Sequence, residues 1–178
     1  MRSPAVLDEF QQVGRLLWEA GLISSHDGNL SLRLPDGRVL ITRHGCMLGR
    51  IRQDDLVTVA PDGSSQGDPS LDTTLHLAVY QQTEARAIVH AHPRHAIALS
   101  LARSAIEPQD LEGKYCLGSL VPVVTADQVT ASLQRYLVAL AFGHGSYARG
   151  QSLWQALQLT SILEESAQVL WLLKGLRP

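Results

Sequence analysis

The stretch Ala87-Ile-Val-His-Ala-His-Pro93 is apolar, carries β-branched residues and is closed by proline. A short run of this kind, bounded by a breaker, reads as a buried strand. Alternate side chains on a strand share a face, so His90 and His92 emerge side by side where the strand ends. Further on, Phe142-Gly-His-Gly145 sets a third imidazole, His144, between glycines that free the backbone to turn. A His-x-His pair alone is an ordinary occurrence in a chain with seven histidines. The glycine-flanked third histidine adds weight to a divalent metal site. Three neutral imidazoles with an open position suit a catalytic ion, zinc first.

Outward from this strand, helices and strands alternate. Ser3-Pro4 reads as a capped helix start, with Val6, Phe10, Val13, Leu16 and Leu17 at helical spacing and Gly21 as the stop. Asn29–Leu34 and Arg38–Thr42 read as strands joined by the turn Pro35-Asp36-Gly37. Leu56–Ala60 is a further strand, Thr73–Gln82 a helix, and His95–Arg103 a helix led by Pro93. Val121–Thr125 is an apolar run, and Leu137–Phe142 fits either helix or strand. A long helix spans roughly Ser152 to Lys174 and is apolar around most of its circumference over residues 167–173. Such a helix is either a central core element or one covered by a partner subunit. The pattern implies one α/β layered domain over residues 1–178.

Composition narrows the function classes. The 178 residues are 45% hydrophobic and 18% charged, which suits a globular chain with a full core. A formal charge of -2 and no basic cluster argue against nucleic acid or an anionic membrane as partner. No segment approaches the roughly 18 uncharged apolar residues of a membrane span. Asp8 and Glu9 interrupt any secretory leader. Cys46 and Cys116 lie far apart without CxxC spacing, so a cytoplasmic protein with free packing thiols is expected.

Five motifs in order resemble the class II aldolase/adducin family, which includes fuculose-1-phosphate aldolases and ribulose-5-phosphate 4-epimerases. They are Gly21-Leu-Ile-Ser-Ser-His-Asp-Gly-Asn-Leu-Ser-Leu-Arg33, Leu40-Ile-Thr-Arg-His-Gly45, Asp68-Pro-Ser-Leu-Asp-Thr-Thr-Leu-His-Leu-Ala-Val-Tyr80, His90-x-His92-Pro93 and Gly143-His144-Gly145. The resemblance implies an α-β-α layered sandwich around a central, mainly antiparallel sheet. It implies His90, His92 and His144 as ligands to Zn2+, Mn2+ or Co2+, and a homotetramer with active sites at subunit boundaries. It also implies an aldolase that cleaves a small sugar phosphate or related hydroxy-keto compound through a metal-bound enediolate. A 4-epimerase or dehydratase on the same fold is the alternative, and a non-catalytic adducin-like module is a third.

Asp72 stands where the aldolases carry glutamate and the epimerases aspartate, which makes it an acid/base candidate; Asp is equally suited to cap the helix at Thr73. Glu112 and Tyr115 fall where related enzymes place an acid or a tyrosine, as further proton-transfer candidates; a solvated Glu112 is the plainer reading. Gly28-Asn29, His44-Gly45 and Ser70 match the phosphate-binding motifs. Two family hydroxyls are replaced, by His44 and Leu71. Arg43 and His44 are the candidates to compensate, since a guanidinium binds phosphate or carboxylate strongly. Arg43 is otherwise a solvated turn residue, and Asp27 opposes an anion if it points inward.

Overall fold

A computed structural model describes residues 4–176; the expected cap Ser3 lies outside them. Helix α1 (Pro4–Glu19) turns Phe10, Val13 and Leu17 fully inward, one stripe at spacings of three and four. Burial of each contributes about 1.5–3 kcal/mol. Gly21 stops it at φ +68°, with Gly21 N donating to Trp18 O and Leu22 N to Leu17 O. Those two bonds are the paired closure of a left-handed helix end.

The strands are β1 (Asn29–Arg33), β2 (Val39–Thr42), β3 (Leu56–Val59), β4 (Ala87–Ala91), β5 (Ala105–Ile106), β6 (Val121–Val124), β7 (Val138–Ala141) and β8 (Gly145–Gly150). They form one sheet in the order β3-β2-β1-β4-β8-β7-β6-β5. Only β6 and β7 run parallel; all other neighbours are antiparallel. The helices between them are α2 (Thr73–Gln82), α3 (Arg94–Ser100), α4 (Leu111–Leu117), α5 (Val129–Arg135) and α6 (Leu153–Leu176).

The sheet separates two cores. Leu30, Leu40, Val89, Leu140 and Ala148 pack under α1, α3 and α6 on one face. Ile41, Ile88, Ala139 and Tyr147 pack with Val79, Tyr80 and Leu133 of α2 and α5 on the other. The layered α-β-α sandwich and its mainly antiparallel sheet are therefore present. Leu137–Phe142 resolves as strand, because Val138 and Leu140 feed one core while Ala139 and Ala141 feed the other. Helix α3 ends three residues before the expected Arg103, where Ser100 Oγ turns back to donate to Ile97 O.

Helix α6 answers the question its composition poses in two parts. Leu153, Leu159, Leu163 and Leu170 are core residues, whereas Trp171, Leu172 and Leu176 at its end are exposed. Among the described residues no helix is long and apolar enough to cross a membrane.

Candidate active site

At one end of the central strands, register places Asn29 of β1 opposite His90 of β4, and His90 opposite Tyr147 of β8. Residues directly opposite in a ladder share a face, so the three form a row on the α2 side of the sheet. Asp72 lies over that row. Its Oδ2 accepts from Asn29 Nδ2 at 2.8 Å and from the Tyr147 hydroxyl at 3.2 Å, and stands 3.7 Å from His90 Nε2. Asp72 does hold the N-cap position of α2, but its side chain makes no cap bond; the carboxylate is committed to the sheet. Ser70 Oγ instead accepts from the Asp72 amide at 3.3 Å and so orients the turn.

His90, His92 and His144 converge, with one ligand atom from each lying within 4.8 Å of the others. His90 Nδ1 is 3.0 Å from the Ser146 carbonyl. A carbonyl only accepts, so Nδ1 carries the proton and the Nε2 lone pair points into the cluster. His92 Nε2 faces it at 3.1 Å. Ligands 2.0–2.1 Å from a tetrahedral ion lie about 3.3 Å apart, so this spacing fits one shared ion. Asp27 Oδ2 lies 3.6 Å from His92 Nδ1, the outer-carboxylate position that orients a ligating imidazole. Ser24 Oγ in turn donates to that carboxylate. Asp27 thus faces His92, which accounts for an acid in this loop.

Glycines allow the approach. A Cβ on Gly28, at φ +76°, would sit 2.6 Å from His90 O. One on Gly145 would meet Ala91 O at 2.5 Å and the His92 ring at 2.8 Å.

Burial pushes His90 down to about 3, and burial with the neighbouring His144 also lowers His92. Both are therefore neutral, ligand-competent imidazoles at pH 7. Burial alone would raise the Asp72 carboxyl, but the hydrogen bonds donated by the Asn29 amide and the Tyr147 hydroxyl favour the carboxylate, and the group lies below its ordinary value. Burial and the Asp72 charge push the Tyr147 phenol up, so it stays a proton donor to the carboxylate.

The other expected residues are placed as follows. Asn29 spends its amide on Asp72 and leaves Oδ1 buried without a partner. Gly45 takes φ +65° in a turn whose His44 amide donates to Asp68 O. The Arg43 guanidinium is paired with Asp55 at 2.9 Å. Glu112 and Tyr115 lie on α4, which packs against α6. Tyr115 is 88% exposed, and the Glu112 carboxylate accepts from the Cys116 thiol. Within one chain no hydrogen bond or ring contact among the described residues links either to the triad.

Two contributors escape a reading of the sequence. Tyr147 stacks on His90 at 4.1 Å between ring centroids; only the β4–β8 register reveals it. Glu164 of α6, 8% exposed, accepts from the amides of His95 and Ala96 and from His95 Nδ1 at 2.7 Å. It anchors the chain just past the His-x-His-Pro segment. An acid within an apolar helix is its only signal in the sequence.

Known proteins share the fold and much of the sequence of this chain. The family profile described as class II aldolase and adducin N-terminal domain matches residues 8–171. A 3-oxo-tetronate 4-phosphate decarboxylase of Haemophilus influenzae is 34% identical, covering 92% of this chain and 86% of its own. A methylthioribulose-1-phosphate dehydratase of Methylococcus capsulatus is 32% identical, covering 88% of each. The crystal structure of an L-fuculose-1-phosphate aldolase from Thermus thermophilus superposes with a TM-score of 0.91 at 38% identity, over 97% of both chains.

Proposed function

The chain belongs to the class II aldolase and adducin family, and within it we propose a divalent-metal-dependent lyase acting on a small phosphorylated sugar or hydroxy-keto compound. The observation that carries this reading is Asp72, an ionised carboxylate 3.7 Å from a neutral histidine of a three-imidazole cluster. His90, His92 and His144 would hold a divalent ion, which when bound would supply positive charge against the negative charge that develops on substrate oxygens. Zinc is preferred, with manganese or cobalt as alternatives. Asp72 takes and returns the substrate proton. Asn29 and Tyr147 hold its carboxylate in place, and Gly28 keeps the backbone clear beside His90.

Aldol cleavage is the first reading, supported by the likeness to the Thermus thermophilus aldolase along nearly the whole chain. Dehydration or decarboxylation is the second, supported by relatives of those activities at 32% and 34% identity. Turnover assays with fuculose 1-phosphate, methylthioribulose 1-phosphate and 3-oxo-tetronate 4-phosphate separate the readings by product: an aldehyde, a dehydrated ketone or carbon dioxide. Turnover of none of them, together with no divalent metal uptake, would return the chain to the adducin-like interaction module.

We also read the active unit as an assembly of several copies, a tetramer by family likeness. The exposed Trp171, Leu172 and Leu176 at the end of α6 support it. In such an assembly the exposed Glu112 and Tyr115 are available to a neighbour's site. Two free cysteines fit a reducing, cytoplasmic setting.

A further inference from the structure

Asp72 is the first member of a polar seam between α2 and β1. Asp72, His76 and Tyr80 recur every fourth residue and so share one face of the helix. Asn29, Ser31 and Arg33 alternate along β1 and so share one face of the strand. The two rows pair in order. Asn29 Nδ2 donates to Asp72 Oδ2 at 2.8 Å, and His76 Nδ1 stands 2.7 Å from Ser31 Oγ. The Tyr80 hydroxyl lies 2.7 Å from Ser31 Oγ and 3.0 Å from Ser31 O. Arg33 closes the seam by donating to Tyr80 O near the end of α2. Ser31 and His76 are wholly buried and Tyr80 nearly so, so bulk water does not compete for these bonds.

Counting protons fixes the direction of each bond at the centre of the seam. The Ser31 carbonyl only accepts, so the single Tyr80 hydroxyl proton goes to it. Tyr80 then receives the Ser31 hydroxyl proton, and Ser31 Oγ in turn receives a proton from His76 Nδ1. Burial pushes His76 down to about 4 against the pull of the Asp72 charge, so the imidazole is neutral and its one proton is on Nδ1. Nε2 keeps a bare lone pair, and it is a buried atom without a hydrogen-bond partner among the described residues. The His76 ring thus makes no hydrogen bond to the Asp72 carboxylate, and its hold is exerted through the helix. The His76 amide donates to Asp72 O at 3.0 Å, one turn back.

We propose that His76, by donating Nδ1–H to Ser31, is the positioning residue of Asp72. It locks α2 on β1 so that the carboxylate stands over Asn29, His90 and Tyr147, and Ser31 and Tyr80 complete the lock. Its value to the reaction rests on Asp72 being the acid/base, whereas the placement of the carboxylate does not.

The test reads the Asn29–Asp72 contact in the full chain by a double-mutant cycle in urea, with Asn29→Ala, Asp72→Ala and both. In the wild-type background the two effects should depart from additivity by about fivefold or more in the unfolding constant. The cycle is repeated in His76→Leu, which removes the donor, and in His76→Asn, whose amide puts an N–H near the place of Nδ1 and nothing at Nε2. The coupling should fall to within about twofold of additivity in the leucine background and survive in the asparagine one. Ser31→Ala removes the acceptor instead and should also lose the coupling, which covers a leucine variant that does not fold. A residue that only filled the core would lower the stability of each background and leave the coupling intact. That result would overturn the proposal, as would a wild type without coupling or its loss in the asparagine background. Nitrogen-15 NMR of chain labelled in histidine gives a second check. The imidazole missing from His76→Asn should be protonated on Nδ1, and a proton on Nε2 would overturn the donor assignment. Full turnover by Asp72→Asn would sink the acid/base reading instead, and the cycle would still decide whether His76 places that carboxylate.

Discussion

Tyr147 donates its hydroxyl to Asp72 at 3.2 Å while its ring lies flat on His90, 4.1 Å between centroids at 12°. A residue of β8 thus touches both the proposed acid/base and a proposed metal ligand. The ladder makes this arrangement rigid, since His90 and Tyr147 are register partners. Rigid elements place functional groups more tightly than loops do. The carboxylate gains a donor that does not ionise and therefore does not compete for its proton.

Two substitutions separate these roles. Asp72→Asn keeps the volume and removes the base, so kcat should fall by roughly 10²–10⁴-fold with zinc content retained. Tyr147→Phe keeps the stack and removes one charge-assisted hydrogen bond, so kcat should fall about tenfold. Steady-state rates and elemental analysis on the same preparations check both. An Asp72→Asn enzyme with full turnover would remove Asp72 from the chemistry.

Zinc should stabilise the fold through the triad alone. At a free concentration one hundred times the dissociation constant, binding adds about 2.7 kcal/mol. For a chain of this size that is a rise of about 5–10 °C in Tm. Calorimetry of His144→Ala with and without zinc should show no such rise. His92→Ala should also lose most bound metal, and a variant of either kind that still gains full thermal stability would mean a different ligand set.

The triad was legible in the sequence because its signals are local. His90 and His92 share one strand end, and His144 is marked by its glycines. Gly21, Gly28 and the Pro35-Asp36-Gly37 turn were legible for the same reason: a special backbone geometry restricts the residue type. Tyr147 and Glu164 were not, because their roles depend on which strand lies beside β4 and which turn of α6 faces α3. Asp72 shows the boundary between the two cases. Its position before a helix suggests a cap, and only the tertiary row of Asn29, His90 and Tyr147 explains why the carboxylate turns away from the helix.

Glu164 predicts a stability effect outside the reacting groups. Replacing it with alanine leaves the His95 and Ala96 amides without their acceptor. Buried unpaired donors cost about 1–3 kcal/mol each, so a loss of about 2–6 kcal/mol is expected in urea unfolding, at constant m. Glu164→Gln keeps an oxygen and should lose about half as much. Equal midpoints for wild type and Glu164→Ala would mean the amides find water instead.

Asp55 gives a pH-dependent signature. Burial would raise its carboxyl, but the Arg52 amide and the Arg43 guanidinium hold it below its ordinary value in the folded chain. A group whose folded value is depressed stabilises the protein above its unfolded value, about 3.9 for Asp, and that contribution disappears as pH falls through the folded value. The difference in unfolding free energy between wild type and Asp55→Asn should therefore be flat from pH 7 down to about 5, at about 1.5–3 kcal/mol for hydrogen bonds to a charged group. It should shrink through the acid range below about 4. Denaturant titrations at fixed ionic strength across this range provide the measurement, because changing salt would screen the exposed part of the Arg43 pair. A gap that stays constant to pH 3 would mean that Asp55 acts by shape and neutral hydrogen bonding alone. Its hold on Arg43 and Arg52 would then not depend on charge.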